Sequence, residues 1–461
     1  MKAGKKNTMK QIKFLGWAIA LGVFLNSCSK TYNKDDGSII ADEPGVLSGE
    51  ITSYTKLTKD RPWRLKGYVY VTNSAILEIE AGTVIKSDTT QKGALIIEKG
   101  SKIIANGTAS QPIIFTSGKS AGNRAPGDWG GIIILGKATI NQPGGEAIIE
   151  GGIGRKYGGG IHPNDNDNSG ILRYVRIEFA GIAAQPNSEI NGLTLGGVGR
   201  GTIIEYIQVS YANDDAFEFF GGTVNCRNLI ALATADDDFD FDFGYTGMIQ
   251  FAIALRDPKF VDAGDAGNGI ECDNENPYSG RTPFTRPVLS NFTIVGPNNA
   301  PGIAANHNFG NRWRRGTRFV FRNSILLGNQ KGGFSIESDA SAGAYLRGES
   351  QFMNNIIYSV TAPFKISTVS TDTLTAMQME LKAISDGCVK LNSSNEVKLA
   401  NPFDLLNPDF RPNAGSPALT GTLFNGDLSN SFFNQTNFRG AFGTDNWMSG
   451  WTYFDPKNGN Y

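Results

Sequence analysis

The chain has 461 residues, 43 basic and 44 acidic side chains, and a formal net charge of −1. This balance excludes recognition of nucleic acid or of an anionic membrane through net positive charge, so we expect no nucleic-acid partner. Abundant glycine (57 residues), scarce histidine (2 residues) and recurring β-branched and aromatic runs favour an all-β protein with many turns over a helical enzyme.

Residues 1–27 have the pattern of a lipoprotein signal peptide. A lysine-rich lead precedes the apolar run FLGWAIALGVFL at 14–25, which is too short to span a bilayer comfortably. The run ends in Leu25-Asn26-Ser27-Cys28, which resembles a bacterial lipobox. That resemblance implies lipidation of Cys28 and attachment to the outer membrane through the lipid. A plain secretory signal with a chance cysteine is the alternative.

Residues 28–47 form the expected tether between the lipid and the folded part of the chain. Within the tether, Lys34-Asp35-Asp36 resembles the export signal that carries Bacteroidota lipoproteins to the outer leaflet. The resemblance implies a protein that is exposed on the cell surface. A solvated linker of similar composition is the alternative.

Residues 48–420 carry short strand-like runs separated by turn residues, and apolar and polar residues alternate within the runs. One coil of a parallel β-helix holds three short strands with their turns, so its sequence repeats at a period in the twenties, lengthened by loop insertions. We predict one right-handed parallel β-helix over 48–420; a propeller, whose blades need about forty residues, is the alternative. Apolar–X–apolar triplets recur every 22 to 33 residues, beginning at Phe217, Phe239, Ile270, Ile303, Phe334 and Phe364.

The stretch ATADDDFDFDFG, at 233–244, places acids and phenylalanines on opposite faces of one strand. In a solenoid the phenylalanines point inward, so Asp238, Asp240 and Asp242 point outward. The repeat aligns these acids with outward positions on the coils before and after. The predicted middle column is Glu218, Asp240 and Glu271, and the column beside it is Phe220, Asp242 and Asp273.

Carboxylates stacked on adjacent strands, about 4.8 Å apart, repel one another unless one takes up a proton or a cation lies between them. Ca²⁺ is the cofactor that such hard oxygen ligands favour. The alternative is a solvated face balanced by arginines such as Arg312. The predicted Ca²⁺ ligands are Glu218, Asp240, Asp242, Glu271 and Asp273, with further ligands from the turn acids Asp214, Asp215, Asp236 and Asp237.

Two features near the C-terminus depart from the strand pattern. Helical periodicity over 373–387 predicts a short helix. Residues 421–461 are rich in asparagine, phenylalanine and tryptophan. We predict that this segment caps the open end of the solenoid, because the last coil would otherwise expose unpaired backbone and core side chains. An aromatic platform for carbohydrate is the alternative for this segment.

Several long runs resemble a widespread group of secreted Bacteroidota proteins. They include GDWGGIIILGKATINQPGGE, EINGLTLGGVGRGTIIEYIQVSYANDDAFEFFGGTV and FRGAFGTDNWMSGWTYFDP. The resemblance covers nearly the whole chain after the signal peptide, and it implies a β-helix at the cell surface. Most members of the group have no assigned activity, so the resemblance indicates hardly anything about function.

The acidic face supports three functional hypotheses. The favoured one is a non-catalytic module that binds a glycan, Ca²⁺ or both, and serves adhesion or an outer-membrane uptake complex. The second is a polysaccharide lyase or glycoside hydrolase on the same face, and the third is a structural spacer that Ca²⁺ stiffens. The expected ligand-binding residues are Glu218, Asp238, Asp240, Asp242, Glu271, Asp273 and Arg312. The catalytic candidates are Asp214, Asp215, Asp237, Asp240 and His307.

Overall fold

The computed structural model describes residues 45–185 and 188–461, and it confirms the predicted right-handed parallel β-helix. The predicted signal peptide, Cys28 and most of the tether lie outside the described residues. Within the described ranges, hydrogen bonds join 26 strands into one network that winds around the solenoid and divides into three sheets. The strands pair parallel from coil to coil. No helix in this part of the chain is long and apolar enough to span a membrane.

The strands are short, as the alternating runs predict. In chain order the first half of them are β1 (Gly45–Ile51), β2 (Thr55–Leu57), β3 (Trp63–Val71), β4 (Ile76–Ile79), β5 (Val84–Ser87), β6 (Ala94–Ile97), β7 (Lys102–Asn106), β8 (Ile113–Thr116), β9 (Gly131–Leu135), β10 (Ala147–Ile148), β11 (Lys156–Tyr157), β12 (Gly170–Glu178), β13 (Ala183–Gln185), β14 (Ser188–Glu189), β15 (Leu193–Gly196) and β16 (Ile203–Ser210). The others are β17 (Phe217–Phe220), β18 (Cys226–Leu232), β19 (Phe239–Asp242), β20 (Met248–Leu255), β21 (Ile270–Cys272), β22 (Val288–Val295), β23 (Phe309–Trp313), β24 (Val320–Arg322), β25 (Ile325–Asn329), β26 (Gly332–Glu337), β27 (Gln351–Met353), β28 (Ile356–Ser359), β29 (Phe364–Ser367), β30 (Val389–Lys390), β31 (Leu399–Asn401) and β32 (Asp409–Pro412). Two helices, α1 (Asp339–Leu346) and α2 (Ala376–Ser385), interrupt the last coils.

Each coil contributes to three sheets that run along the solenoid. The first sheet contains β2, β4 and β7, the first halves of β12, β16, β18, β20 and β22, and then β24 and β27. The second sheet contains β5 and β8, the second halves of the same five long strands, and then β25, β28 and β30. The third sheet contains β6, β9, β15, β17, β19, β21, β23, β26 and β29, and it carries the predicted acidic columns.

A residue with left-handed backbone bends the chain between the first and second sheets on each of seven coils. Asparagine and glycine adopt this conformation more easily than other residues do, and asparagine holds four of the seven positions. The side chains at these positions stack along the outside of the solenoid, and we call them the bend ladder. Its members are Tyr174, Tyr206, Asn228, Phe251, Asn291, Asn323 and Asn354, with φ between 51° and 63°.

Phenylalanines of the third sheet fill the core, as the alternation predicts. The rings of Phe217 and Phe239 stack with their centroids 5.2 Å apart, and those of Phe219 and Phe241 stack at 5.0 Å. All four rings are fully buried. The intervening residues of β17 and β19 therefore face away from the core.

The predicted triplet at 303–305 does not form the next strand of the third sheet, so this part of the repeat prediction was wrong. The strand is β23, in which Arg312 lies opposite Glu271. Residues 296–308 form a loop instead, because Pro297 and Pro301 cannot donate backbone hydrogen bonds to a central strand.

Helix α2 confirms the helix predicted over 373–387, and it covers the C-terminal end of the solenoid. The Thr375 side chain accepts a hydrogen bond from the Gln378 backbone, and the Gln378 side chain accepts one from the Thr375 backbone in return. Met379 and Ala383 are buried in the main core. Helix α1 was not predicted, because its sequence DASAGAYL consists mainly of small residues and has no apolar stripe.

Residues 421–461 lie along the flank of the solenoid, whereas the sequence predicted a cap over its end; we call this segment the C-terminal strap. It hydrogen-bonds side chains on earlier and earlier coils, namely Asn323, Gln250 and Gln208. The reason is that the outward residues of the second sheet are apolar on these coils and need cover. Ile230, Leu232, Ile253, Leu255 and Val295 pack against Phe410, Phe442, Met448 and Trp451.

Candidate functional site

The third sheet stacks the acids of the middle column directly. Glu218 of β17 lies opposite Asp240 of β19, and Asp240 lies opposite Glu271 of β21. Asp242 lies opposite Phe220 in the neighbouring column. Like charges at such directly opposed positions are destabilising unless something neutralises them.

Turns at the start of these strands extend the column into an acidic pocket of about 190 Å³. The turn before β17 contributes Asp214 and Asp215, and the turn before β19 contributes Asp236 and Asp237. With Glu218, Asp240 and Glu271, and with three acids from segments outside the three sheets, ten carboxyl groups line the pocket. The remaining lining residues are Glu150, Glu189, Asp265 and Asn191.

Two carboxylate trios inside the acidic pocket have the spacing of metal ligands. One consists of Asp214, Asp215 and Asp236, and the other consists of Asp215, Glu218 and Asp240. Each residue offers one oxygen, and within each trio these oxygens lie within 4.8 Å of one another. Asp215 belongs to both trios, so one carboxylate takes part in both candidate sites.

Hydrogen bonds orient the acids of the pocket. Asp215 Oδ1 accepts a bond of 2.8 Å from the Asp237 backbone N–H. Asp237 Oδ1 accepts bonds of 2.6 and 2.9 Å from the backbone and side chain of Asn268. The Asn191 amide donates to Glu218 Oε2 and, at 3.0 Å, to Glu150. These bonds use only some of the carboxylate oxygens, and the others remain available to a ligand.

Burial and mutual repulsion raise the pKa values of Asp215, Asp236 and Asp240 in the pocket. Burial raises the pKa of Asp240 well above its usual range, and the charges of Asp242 and Glu271 raise it further. Burial, with the charges of Asp214 and Asp237, does the same to the pKa of Asp215. The pKa of Asp236 rises to about 7, again chiefly through burial. These three acids therefore hold protons near neutral pH unless a cation replaces them.

Arginines neutralise one end of the acidic column. Arg314 Nη1 lies 2.7 Å from Glu271 Oε1, and its Nη2 lies 2.7 Å from Asp273 Oδ2. Arg312 Nη1 lies 2.9 Å from Glu271 Oε2, and Arg315 also pairs with Asp273. Glu271 and Asp273, which were predicted as Ca²⁺ ligands, therefore have arginine partners. This end of the column matches the alternative prediction, an acidic face balanced by arginines.

The other acids of the pocket have no such partner. Within residues 45–185 and 188–461, no lysine or arginine nitrogen lies within ion-pair distance of Asp215, Glu218 or Asp240. Asp240 Oδ1 is buried and has no hydrogen-bond partner among the described residues. Asp242 lies outside the pocket lining, next to the arginine-paired end, and burial followed by the charge of Asp273 raises its pKa.

Two other predicted site residues belong to a separate buried group. Asp238 is fully buried and lies 3.1 Å from Arg256 Nη1. His307 is also buried; its Nδ1 accepts a hydrogen bond of 3.3 Å from Arg256 Nε, and its Nε2 lies 3.2 Å from the Pro258 carbonyl. Burial lowers the pKa of His307 to about 4. Asp238 does not join the acidic column, because its carboxylate pairs with the buried Arg256.

Four residues of the pocket were missed by sequence reasoning. Glu150 and Asp265 come from loops and Glu189 comes from the short strand β14, and none of these segments has a period that would align it with the third sheet. Asn191, however, lies two residues before the first inward residue of β15, as Asp215 and Asp237 do for β17 and β19. Counting two residues back from each triplet would have revealed this column of turn side chains.

Comparison with known proteins identifies the fold of the chain and little else. The family model described as a pectate-lyase-like beta helix domain matches residues 49–397. This span contains all ten carboxyl groups of the acidic pocket. No curated protein matches the chain, and no solved structure matches it.

Proposed function

The chain belongs to the pectate-lyase-like β-helix family, and we propose that it is a non-catalytic binding module whose acidic pocket holds a divalent cation, with Ca²⁺ the best fit. The observation that carries the proposal is the pair of carboxylate trios around Asp215, which lack arginine and lysine partners among the described residues. A fold shared with lyases is not itself evidence for lyase activity.

The ligand chemistry favours Ca²⁺ over other metals. The pocket offers carboxylate and amide oxygens, with no histidine or cysteine in its described lining, whereas Zn²⁺ prefers nitrogen and sulfur ligands. Ca²⁺ takes six to eight oxygen ligands in irregular geometry, and Mg²⁺ demands a near-ideal octahedron. The ten carboxyl groups come from strands, turns and loops of several coils, an arrangement that suits irregular coordination.

The size of the pocket favours an ion over a sugar. Sites for small organic ligands occupy about 300–1,000 Å³, and the acidic pocket has about 190 Å³. A glycan on this face would therefore contact the protein through the bound ion and the rim. We propose this route for an acidic polysaccharide, because its carboxylates complete the coordination of an exposed Ca²⁺.

The surroundings of the pocket argue against a Ca²⁺-dependent lyase. A lyase that works through Ca²⁺ needs a free base beside the metal. Arg312 and Arg314 are each held by carboxylates, and His307 is buried against Arg256. The described pocket thus contains many acids but no unpaired basic side chain.

Thermal melting with and without Ca²⁺ tests the proposal. We expect 1 mM CaCl₂ to raise the melting temperature of chelator-treated protein, and Asp215→Asn to abolish the rise. Asp238→Asn is the matched control, since Asp238 is a buried acid of the same region outside the pocket; it should keep the Ca²⁺-dependent rise. An unchanged melting temperature for the wild-type protein would contradict the proposal. An increase in ultraviolet absorbance on incubation with polygalacturonate and Ca²⁺ would favour a lyase instead.

We also propose, from residues 1–47 alone, that Cys28 is lipidated and that the protein is held on the outer surface of a bacterial outer membrane. The lipobox-like run and Lys34-Asp35-Asp36 support this location. Cys28→Ala should release the protein from the membrane fraction, and protease added to intact cells should degrade the wild-type protein. Protection from that protease would contradict surface exposure.

A further inference from the structure

A second cavity, of about 610 Å³, lies between the bend ladder and the C-terminal strap, on a different face from the acidic pocket. We call it the flank cleft. Tyr206, Asn228 and Phe251, which follow one another in the bend ladder, contribute one side. Phe438 and Trp447 of the strap contribute the other. The volume falls within the range of sites for small organic ligands.

Asn228 is an asparagine of the bend ladder that forms no hydrogen bond with the strap through its side chain. The strap satisfies two other asparagines of the bend ladder: Asn291 donates to the Phe438 carbonyl at 3.0 Å, and Asn323 accepts from the Leu423 backbone at 3.0 Å. The side chain of Asn228 has no hydrogen-bond partner within the described residues, although only 6% of the residue is exposed. It lines the flank cleft. Its amide can therefore hydrogen-bond with water or with a ligand in the cleft.

The aromatic rings of the cleft are held in place. Trp447 Nε1 donates a hydrogen bond of 2.8 Å to the Ala441 carbonyl, and the indole stacks on Phe442 with centroids 5.0 Å apart and planes within 2°. Phe251 and Phe438 stack across the cleft at 6.4 Å. Rings fixed in this way present apolar surface to a ligand at little cost in side-chain entropy.

Charged groups of both signs surround these rings. The Arg227 guanidinium lies 4.4 Å above the Phe432 ring and has no carboxylate partner among the described residues. Glu205 is paired with Arg173 at 2.9 Å, and Asp445 is exposed at the rim. Donors and acceptors therefore both face the cleft, with neither charge dominant.

The free amide, the fixed aromatic rings and the charges of both signs together favour one chemical class of ligand. A purely apolar ligand would leave the Asn228 amide unsatisfied, an anion would meet Glu205 and Asp445, and a cation would meet Arg227. A pyranose ring has an apolar C–H face for the aromatic rings, and its hydroxyl groups both donate and accept hydrogen bonds. We propose that the flank cleft binds a neutral pyranose unit of a polysaccharide, independently of the acidic pocket.

The test is a binding assay of the full chain with neutral oligosaccharides of about four to six units, built from glucose, mannose, xylose or galactose. We expect saturable binding to at least one series, with a change in tryptophan fluorescence because Trp447 lines the cleft. Asn228→Asp removes both N–H donors and retains a residue that tolerates left-handed backbone. It should weaken binding at least tenfold, and Trp447→Phe should also weaken it.

Two controls make the result specific. Asn354→Asp changes the same residue type in the same ladder conformation, away from the cleft, and should leave affinity within twofold of the wild type. EDTA and Asp240→Asn should also leave it unchanged, which separates this site from the acidic pocket. The proposal is overturned if no series binds, if Asn228→Asp binds as the wild type does, or if Asp240→Asn abolishes binding.

Discussion

Ca²⁺ should reverse the order of stability of the wild type and the Asp240→Asn variant. The variant should be the more stable protein without Ca²⁺, and the wild type should be the more stable one with Ca²⁺. Without Ca²⁺, Asp240 faces Asp215 and Glu218 with oxygens within 4.8 Å of one another. With Ca²⁺, the same oxygen becomes a ligand. Asp240→Asn keeps the shape of the side chain and removes its negative charge, so it isolates the electrostatic contribution.

The size of the effect without Ca²⁺ follows from these distances. Two full charges 4.8 Å apart repel by about 3 kcal/mol at an effective dielectric constant of about 20. Asp240 can avoid repulsion by binding a proton, which costs about 1.4 kcal/mol for each pH unit above its unfolded pKa, or about 4 kcal/mol at pH 7. We therefore expect Asp240→Asn in EDTA to be more stable than the wild type by about 3 kcal/mol, and by no more than about 4 kcal/mol.

The effect with Ca²⁺ has the opposite sign. A ligand present at about 100 times its Kd stabilises the folded state by about 2.7 kcal/mol. The wild type should gain this stabilisation, and Asp240→Asn should gain little of it, because one ligand of the trio has lost its charge. The wild type should then be the more stable protein.

Urea unfolding followed by circular dichroism, in EDTA and in CaCl₂, measures both differences. Asp238→Asn again serves as the control, because it should lower stability equally in both buffers through loss of its pairing with Arg256. The reasoning is refuted if Asp240→Asn is less stable than the wild type in EDTA, or if Ca²⁺ stabilises both proteins equally.

Three further predictions concern pH, the strap and the end of the solenoid. Burial raises the pKa of Asp236 to about 7, so between about pH 4 and pH 7 the folded state binds more protons than the unfolded chain. In EDTA, the free energy of unfolding should therefore fall as the pH rises from 4 through 7. Calorimetry should also detect proton release when Ca²⁺ binds. Trp451→Ala should cost about 3–5 kcal/mol in urea unfolding, because the indole is fully buried against the second sheet; a loss below about 1 kcal/mol would show that the strap is dispensable. Met379→Ala on α2 should cost about 2–5 kcal/mol, and an unchanged unfolding midpoint would contradict the role of α2 as the end cover.

The fold and the alignment of the acidic column could be predicted because both depend on a local period. Phenylalanines at every second position indicate which face is buried, and the repeat between triplets aligns Glu218, Asp240 and Glu271. The prediction failed at 303–305, where loop prolines displace the strand to β23. A period identifies strands only where no insertion interrupts it.

The composition of the pocket could be predicted only in part. The turn acids come from the same repeat, but Glu150, Glu189 and Asp265 are brought in by segments outside the three sheets, whose paths depend on tertiary packing. One end of the column has arginine partners and the rest has none. This division also depends on where Arg312 and Arg314 lie after the loop.

The course of the strap could not be predicted from its composition. Aromatic residues indicate that a segment is buried, but they do not specify the surface that it covers. The outward apolar residues of the second sheet, such as Ile230 and Leu232, carried that information. They lie in runs that are apolar on both faces, which are typical of strands covered on both sides.

Calorimetric titration of Ca²⁺ into chelator-stripped protein is the most direct test of the central claim, that the acidic pocket is a cation site. Asp215 contributes to both carboxylate trios, so its replacement by asparagine disrupts both. We predict saturable binding of one or two Ca²⁺ ions per wild-type chain, and loss of that binding in Asp215→Asn. Absence of saturable binding by the wild type, or equal binding by Asp215→Asn, would contradict the claim.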